Sequence, residues 1–274
     1  MACRPGFNIN VIIMIGVFDS GVGGLTVVRA ILEQVPGYDI VYFGDTAHTP
    51  YGTKSSETVI GYTIKNIEFL LSQGAKVIVI ACNTASSVAT PEVLDRFSVP
   101  IFEVITPAVE LALQLSKNFN FGVIGTRATV SSCIYEKKIM EKHPTAKVFS
   151  VACPLLVPLV EEGWLTKPET SSIVRKYLLP LKVRQIDTLI LGCTHYPLIK
   201  NVIQKKIGRR VQLIDSSISV SGCVKAFLTQ NADVDQQLGQ NGTLMLFVSD
   251  VTDQFEKIAI MTLETDVTFT CVKL

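Results

Sequence analysis

Short, uninterrupted apolar runs alternate along this chain with longer segments in which apolar and polar residues mix at helical spacing. Strands of a parallel sheet covered on both faces have no wet side, so they read as continuous apolar runs without alternation. The pattern predicts strands over 12–18, 40–44, 76–81, 100–104, 121–125, 147–152, 188–192, 211–215 and 244–249. Helices are expected between them over 26–34, 56–73, 90–97, 107–116, 129–141, 167–181, 198–207 and 219–230. Alternation of this kind points to an α/β architecture, in which ligands collect beyond the carboxyl ends of the strands.

Those strand ends carry the unusual residues. Val77-Ile-Val-Ile-Ala-Cys82-Asn83-Thr84 and Thr188-Leu-Ile-Leu-Gly-Cys193-Thr194-His195 both run an apolar strand into a small residue, a cysteine and polar side chains. A second pair, Gly16-Val-Phe-Asp19-Ser20 and Gly122-Val-Ile-Gly125-Thr126, repeats at nearly the same offset. A degenerate duplication would account for both pairs and would set one cysteine from each of two similar domains toward a common cleft. The loop Asp19-Ser20-Gly21-Val22-Gly23-Gly24 lacks the Lys-Ser/Thr ending of a phosphate loop and the G-x-G-x-x-G spacing. Its backbone N–H groups are expected to suit a small carboxylate better.

Composition narrows the classes. The 274 residues carry 25 Lys+Arg and 24 Asp+Glu, a formal net charge of +1, so no strong field favours nucleic acid. Mean hydropathy is +0.38. The apolar run over 11–18 is still far short of the roughly 20 residues that cross a bilayer. That run leads into Asp19 and a glycine turn instead of a small-residue cleavage site, so no secretory leader is expected. The seven cysteines contain no Cys-x-x-Cys pair, which fits free thiols in a cytoplasmic protein.

Two of the thiols stand out, because a helix beginning just after Cys82 or Cys193 would be expected to lower its pKa toward neutrality. Two thiols on one cleft admit a redox pair, a zinc site completed by His195, a cysteine hydrolase, or an acid and a base on opposite faces of one carbon. The scattered spacing argues against the first two, and a hydrolase needs only one thiol. The last arrangement inverts a stereocentre.

Val17-Phe18-Asp19-Ser20-Gly21-Val22-Gly23-Gly24, Gly44-Asp45-Thr46 with Pro50-Tyr51-Gly52, Ala81-Cys82-Asn83-Thr84-Ala85-Ser86 and Gly192-Cys193-Thr194-His195-Tyr196-Pro197-Leu198 closely resemble the glutamate racemases, within the cofactor-independent aspartate/glutamate racemase superfamily. The resemblance runs from about residue 15 to about residue 250, and 123–129 and 153–163 also look like family segments. It implies two similar α/β domains, each with a mostly parallel sheet flanked by helices, and an active site in the cleft between them. The first domain would be 1–106 plus 216–274, and the second 107–215. It implies interconversion of L- and D-glutamate for peptidoglycan synthesis, with no metal, pyridoxal phosphate or nucleotide, in a cytoplasmic homodimer that binds neither membrane nor nucleic acid.

By motif position, Cys82 would take the α-proton of D-glutamate and Cys193 that of L-glutamate. Asp19 would assist the first thiol, and His195 and Glu161 the second. Asp19, Ser20, Tyr51, Gly52, Asn83, Thr84, Thr194 and His195 match the substrate-binding segments. Ala47-His48-Thr49 departs from the family pattern, and His48 is expected to be a loop histidine with local partners. Another racemase of the superfamily, such as one for aspartate, and a non-catalytic dicarboxylate-binding protein are the alternatives.

Overall fold

A computed structural model describes residues 13–274. The start of the first expected strand, Cys3 and the leader question therefore lie outside the described residues.

The first half lays down β1 (Met14–Asp19), α1 (Leu25–Gln34), β2 (Ile40–Gly44), α2 (Ser56–Ser72), β3 (Ala75–Ile80), α3 (Asn83–Arg96) and β4 (Ile101–Glu103). The chain then crosses into α4 (Ile105–Leu115), β5 (Asn120–Gly125), α5 (Arg127–Ser131), α6 (Ile134–Lys142), β6 (Lys147–Ala152), α7 (Leu156–Glu161), α8 (Pro168–Val183), β7 (Thr188–Gly192), α9 (Lys200–Ile207) and β8 (Gln212–Asp215). It returns through α10 (Ser216–Gln230), α11 (Ala232–Asp235), β9 (Leu244–Val248), α12 (Asp253–Leu263) and β10 (Thr270–Cys271).

Two sheets result, ordered β10-β9-β2-β1-β3-β4 and β6-β5-β7-β8, and every pairing in them is parallel. The run β2-β1-β3-β4 in one sheet and β6-β5-β7-β8 in the other have the same connectivity. The residues after β3 and after β7, Cys82 and Cys193, are thus topological equivalents. Each lies beside the central strand where the strand order reverses, the usual ligand position in such sheets.

Burial explains the apolar runs. Every residue of β1, β2 and β7 is buried. The largest core cluster joins Val17 and Val79 of the first sheet to Phe121 and Ile190 of the second, so apolar packing continues from one sheet's surroundings into the other's. The crossing into the second half is held by Glu103, whose carboxylate accepts from the N–H groups of Ile105 and Thr106. The return is capped by Asp215, which accepts from the Ser217 N–H at 3.1 Å. Buried Asp39 then accepts from the N–H groups of Asn241 and Thr243, fixing the turn that sets β9 beside β2.

Several expected elements need correction. The helix expected over 90–97 starts at Asn83, two turns earlier. The helix expected over 129–141 is two helices, parted at Cys133 in the left-handed conformation, φ 55°. The segment 198–207 begins as a 3-10 turn, Tyr196–Ile199, before α9 takes over. The helices α7, α11 and α12 and the short edge strand β10 were not expected. Among the described residues, no helix is long and apolar enough to cross a membrane.

Candidate active site

The glycine loop folds around its own aspartate. Asp19 ends β1, and one of its carboxylate oxygens accepts from the N–H groups of Gly21 and Gly24, each at 3.0 Å. A Cβ on Gly24 would lie 2.2 Å from that of Asp19, so only glycine permits the wrap. The expectation that these N–H groups await a ligand's carboxylate is therefore corrected for Gly21 and Gly24, since the anion they hold belongs to the chain. The other oxygen of Asp19 accepts from the Thr194 hydroxyl at 3.3 Å, across the gap between the two sheets. Asp19 is fully buried. Burial raises its pKa, offset in part by the charge of His195 and by donors from Gly21, Gly24 and Thr194.

Cys82 is the N-cap of α3, and its sulfur accepts from the Ala85 N–H at 3.5 Å. It also donates to the Ser20 hydroxyl at 3.6 Å. The helix start does favour a thiolate, as the sequence suggests, but burial and the neighbouring Asp19 outweigh it. The Cys82 pKa is pushed up to about 12. Taking a thiolate out of water costs more here than one N–H returns.

Cys193 follows β7, and the turn after it is too short to act as a helix terminus. The expected helix N-terminus at this thiol is replaced by a histidine: the Cys193 sulfur lies 3.7 Å from His195 Nδ1, and His195 Nε2 lies 3.2 Å from Glu161. Burial works against a charged imidazole. The hydrogen bonds and charges of Cys193 and Glu161 prevail, and His195 is held well above the ordinary histidine pKa.

A small cavity joins these groups. Ser20, Tyr51, Gly52, Cys82, Asn83 and Thr84 line it from the first sheet's loops, and Cys193, Thr194 and His195 from the second's. Thr126, Val157 and Pro50 complete the lining and were missed. Thr126, hydrogen-bonded to Thr84 at 2.9 Å, could have been found, because it closes the Gly125-Thr126 half of the repeated strand end. Asp19 and Glu161 do not line the cavity. Asp19 stands behind Thr194 and the glycine loop, and Glu161 reaches the thiols through His195.

The Tyr51 hydroxyl is already engaged, donating to Asp45 at 2.5 Å and accepting from Asn66 at 3.0 Å. His48 joins the same group, 2.8 Å from Asp45, which fits its expected local role. Asn83 is different. Its amide nitrogen reaches Tyr135 and Ser216, whereas its buried Oδ1 has no partner among the described residues. An unmet buried acceptor costs about 1–3 kcal/mol, so a ligand N–H at this position would be bound strongly.

The His195–Glu161 contact makes a pH prediction. A histidine whose folded pKa is raised contributes stability fully below its unfolded value, and that contribution is lost as pH rises through the folded value. Glu161→Gln removes one of the interactions that raise it, so the His195 titration followed by NMR, and the pH at which this stability is lost, should move to lower pH. An unmoved titration would mean that Glu161 does not hold the His195 proton.

The sequence matches the Asp/Glu/Hydantoin racemase family over residues 15–219. It is 44% identical over 245 residues to the glutamate racemase of Syntrophus aciditrophicus, covering 89% of this chain and 90% of the relative. The crystal structure of glutamate racemase isoform RacE1 from Bacillus anthracis superposes with a TM-score of 0.89 at 37% identity, over 96% of this chain and 98% of that one. The Francisella tularensis glutamate racemase, solved in complex with D-glutamate, gives a TM-score of 0.88 at 37% identity and the same coverage.

Proposed function

The chain belongs to the Asp/Glu/Hydantoin racemase family, and from that premise we propose that it interconverts L- and D-glutamate by passing the α-proton between Cys82 and Cys193. The enzyme is an amino-acid racemase. The observation that carries the two-thiol reading is that equivalent positions of two like-connected sheets each supply a thiol to one cavity. A binding protein would have no use for that symmetry, and relatives named as glutamate racemases, one of them bound to D-glutamate, support the substrate.

The two thiols differ in their surroundings, and the family resemblance assigns Cys193 to L-glutamate and Cys82 to D-glutamate. Cys193 has His195 beside it, so a thiolate there faces a positive partner. Cys82 keeps its proton in its buried pocket next to Asp19. Cys193 thiolate takes the α-proton of L-glutamate, and the C–H electron pair stays on carbon. Cys82 then delivers its proton to the opposite face, giving D-glutamate, a Cys193 thiol and a Cys82 thiolate. Running the steps backwards returns the L form.

On this reading Asn83 Oδ1, without a partner among the described residues, accepts from the substrate ammonium, and the hydroxyls of Ser20, Thr84 and Thr126, which line the same cavity, serve its carboxylates. No pyridoxal phosphate spreads the carbanion's charge in this scheme, so fixed donors in a water-poor cavity must stabilise it. On the same reading, D-glutamate supplies peptidoglycan synthesis, and the enzyme works in the cytoplasm as a homodimer. Its two domains are 1–106 with 216–274 and 107–215, a division supported by the crossings at Glu103–Ile105 and Asp215–Ser216.

The test is proton NMR of L-glutamate in D₂O, with polarimetry for the D form. Loss of the α-proton signal together with decay of rotation is expected. An α-proton untouched by the enzyme would sink the reading, and exchange of aspartate in preference to glutamate would redirect it.

A further inference from the structure

A second cavity, open to solvent, lies immediately outside the first. The two share Gly52. Gly52 is pressed against Thr126: a Cβ built on it would fall 2.5 Å from the Thr126 Cβ. The loop after β2 and the start of α5 therefore meet there as a closed seam between the outer cavity and the thiols.

The lining of the outer cavity is cationic and hydroxylic. Lys54, from the loop before α2, and Arg127, from α5, both line it, together with Ser55, Ser56, Ser131 and Ser132, and no Asp or Glu takes part. Neither cation makes an ion pair among the described residues. This is unlike the groove between α1 and α9, where Arg29 is taken by Glu33 and Glu264 and Lys200 by Asp215. Two cations that line one cavity without an ion-pair partner among the described residues, one wall from a buried site, act on anions that approach it.

We propose that this outer cavity is the access chamber for the substrate, in which Lys54 and Arg127 draw in an anionic amino acid before the Gly52–Thr126 seam parts and admits it to the thiols. The inference rests on the racemase reading for the identity of the anion, but the chamber's preference for negative charge can be measured without it. Each unit charge some 7 Å from a passing anion changes its local concentration about threefold in water, before screening. The field also raises the encounter rate and fades as salt is added.

The experiment uses Lys54→Gln, Arg127→Gln and the double charge reversal Lys54→Glu/Arg127→Glu in the full chain, with circular dichroism as the check on folding. For racemisation, each neutral variant should raise KM about threefold and the double reversal about tenfold or more, with kcat held within about twofold. The differences should shrink at roughly 0.5 M salt.

The second arm is alkylation by iodoacetate, an anion, and iodoacetamide, its neutral analogue, read at Cys82 and Cys193 by mass spectrometry. Exposed Cys271, outside that lining, serves as the internal reference. The iodoacetate-to-iodoacetamide ratio at the buried pair should fall severalfold in the double reversal and stay constant at the reference. An unchanged ratio at Cys82 and Cys193 overturns the access chamber, whatever the racemisation assay gives. A wild-type enzyme that leaves glutamate untouched, yet shows the ratio falling in the variant, would sink the substrate and keep the chamber.

Discussion

Cys82→Ala is expected to lower racemisation by about 10³-fold or more, while leaving one half of the chemistry alive. With Cys193 intact, the enzyme should still remove the α-proton of L-glutamate and, after exchange with D₂O, return a deuteron to the same face. Cys193→Ala should do the mirror experiment, exchanging D-glutamate and sparing the L form. The contrast follows from the proposed mechanism, in which each thiol serves only one face of the carbon. It also follows that the two variants differ in their pH behaviour: the residual reaction of Cys82→Ala depends on His195 beside its remaining thiol, and that of Cys193→Ala on a thiol whose pKa is pushed up to about 12. Exchange of both enantiomers by either single variant would rule out the two-thiol mechanism.

Much of the fold is legible in the order of residues because parallel strands buried on both faces need continuous apolar runs. The strands β2 and β7 begin and end where those runs do, and every residue in them is buried. Helices were harder where the chain puts chemistry into them. The first turns of α3 are Asn-Thr-Ala-Ser-Ser, small polar residues that favour caps and turns over helix interiors, yet all of them are buried around the site. There tertiary packing overrides propensity. The segment of α7 is interrupted by Pro158, and α12 earns its apolar face only by packing on α1, a partner more than 200 residues away that no local pattern announces.

The site shows the same division. Cysteines at matching strand ends can be aligned by eye, and so can the glycine loop. What stays hidden is which polar group answers which. The loop's N–H groups look free until Asp19 is seen to fill them, and the loop could hold a ligand carboxylate on sequence grounds alone. Glu161 stands 34 residues from His195, which it meets at 3.2 Å. The environment of Cys82 reverses the expected sign of its shift, because the number of N–H groups at a helix start can be read from a motif whereas the depth of burial cannot.

Gly23→Ala is expected to reduce kcat/KM by about 10²-fold, although Gly23 has no side chain to take part in the reaction. A methyl group there would lie 2.4 Å from the Thr194 hydroxyl, 2.5 Å from His195 Nδ1 and 2.8 Å from its Cε1. Neither neighbour can swing away freely. Thr194 donates to Asp19, its carbonyl accepts from Thr26, and His195 is held between Cys193 and Glu161. The turn must therefore lift from the second sheet's loop, or the imidazole must rotate off the Cys193 sulfur. Either movement costs about 1–3 kcal/mol as overpacking. Rotation also removes a partner that keeps His195 protonated, so the His195 titration should move to lower pH, as in Glu161→Gln. The matched control is Gly61→Ala on α2, where an added Cβ meets nothing within 4 Å. That change should stabilise the helix by about 0.5–1 kcal/mol and leave activity unchanged. A Gly23→Ala enzyme with wild-type kcat/KM would mean that the glycine loop and the Thr194–His195 segment slide past one another without cost, and that the positioning of His195 does not depend on the loop.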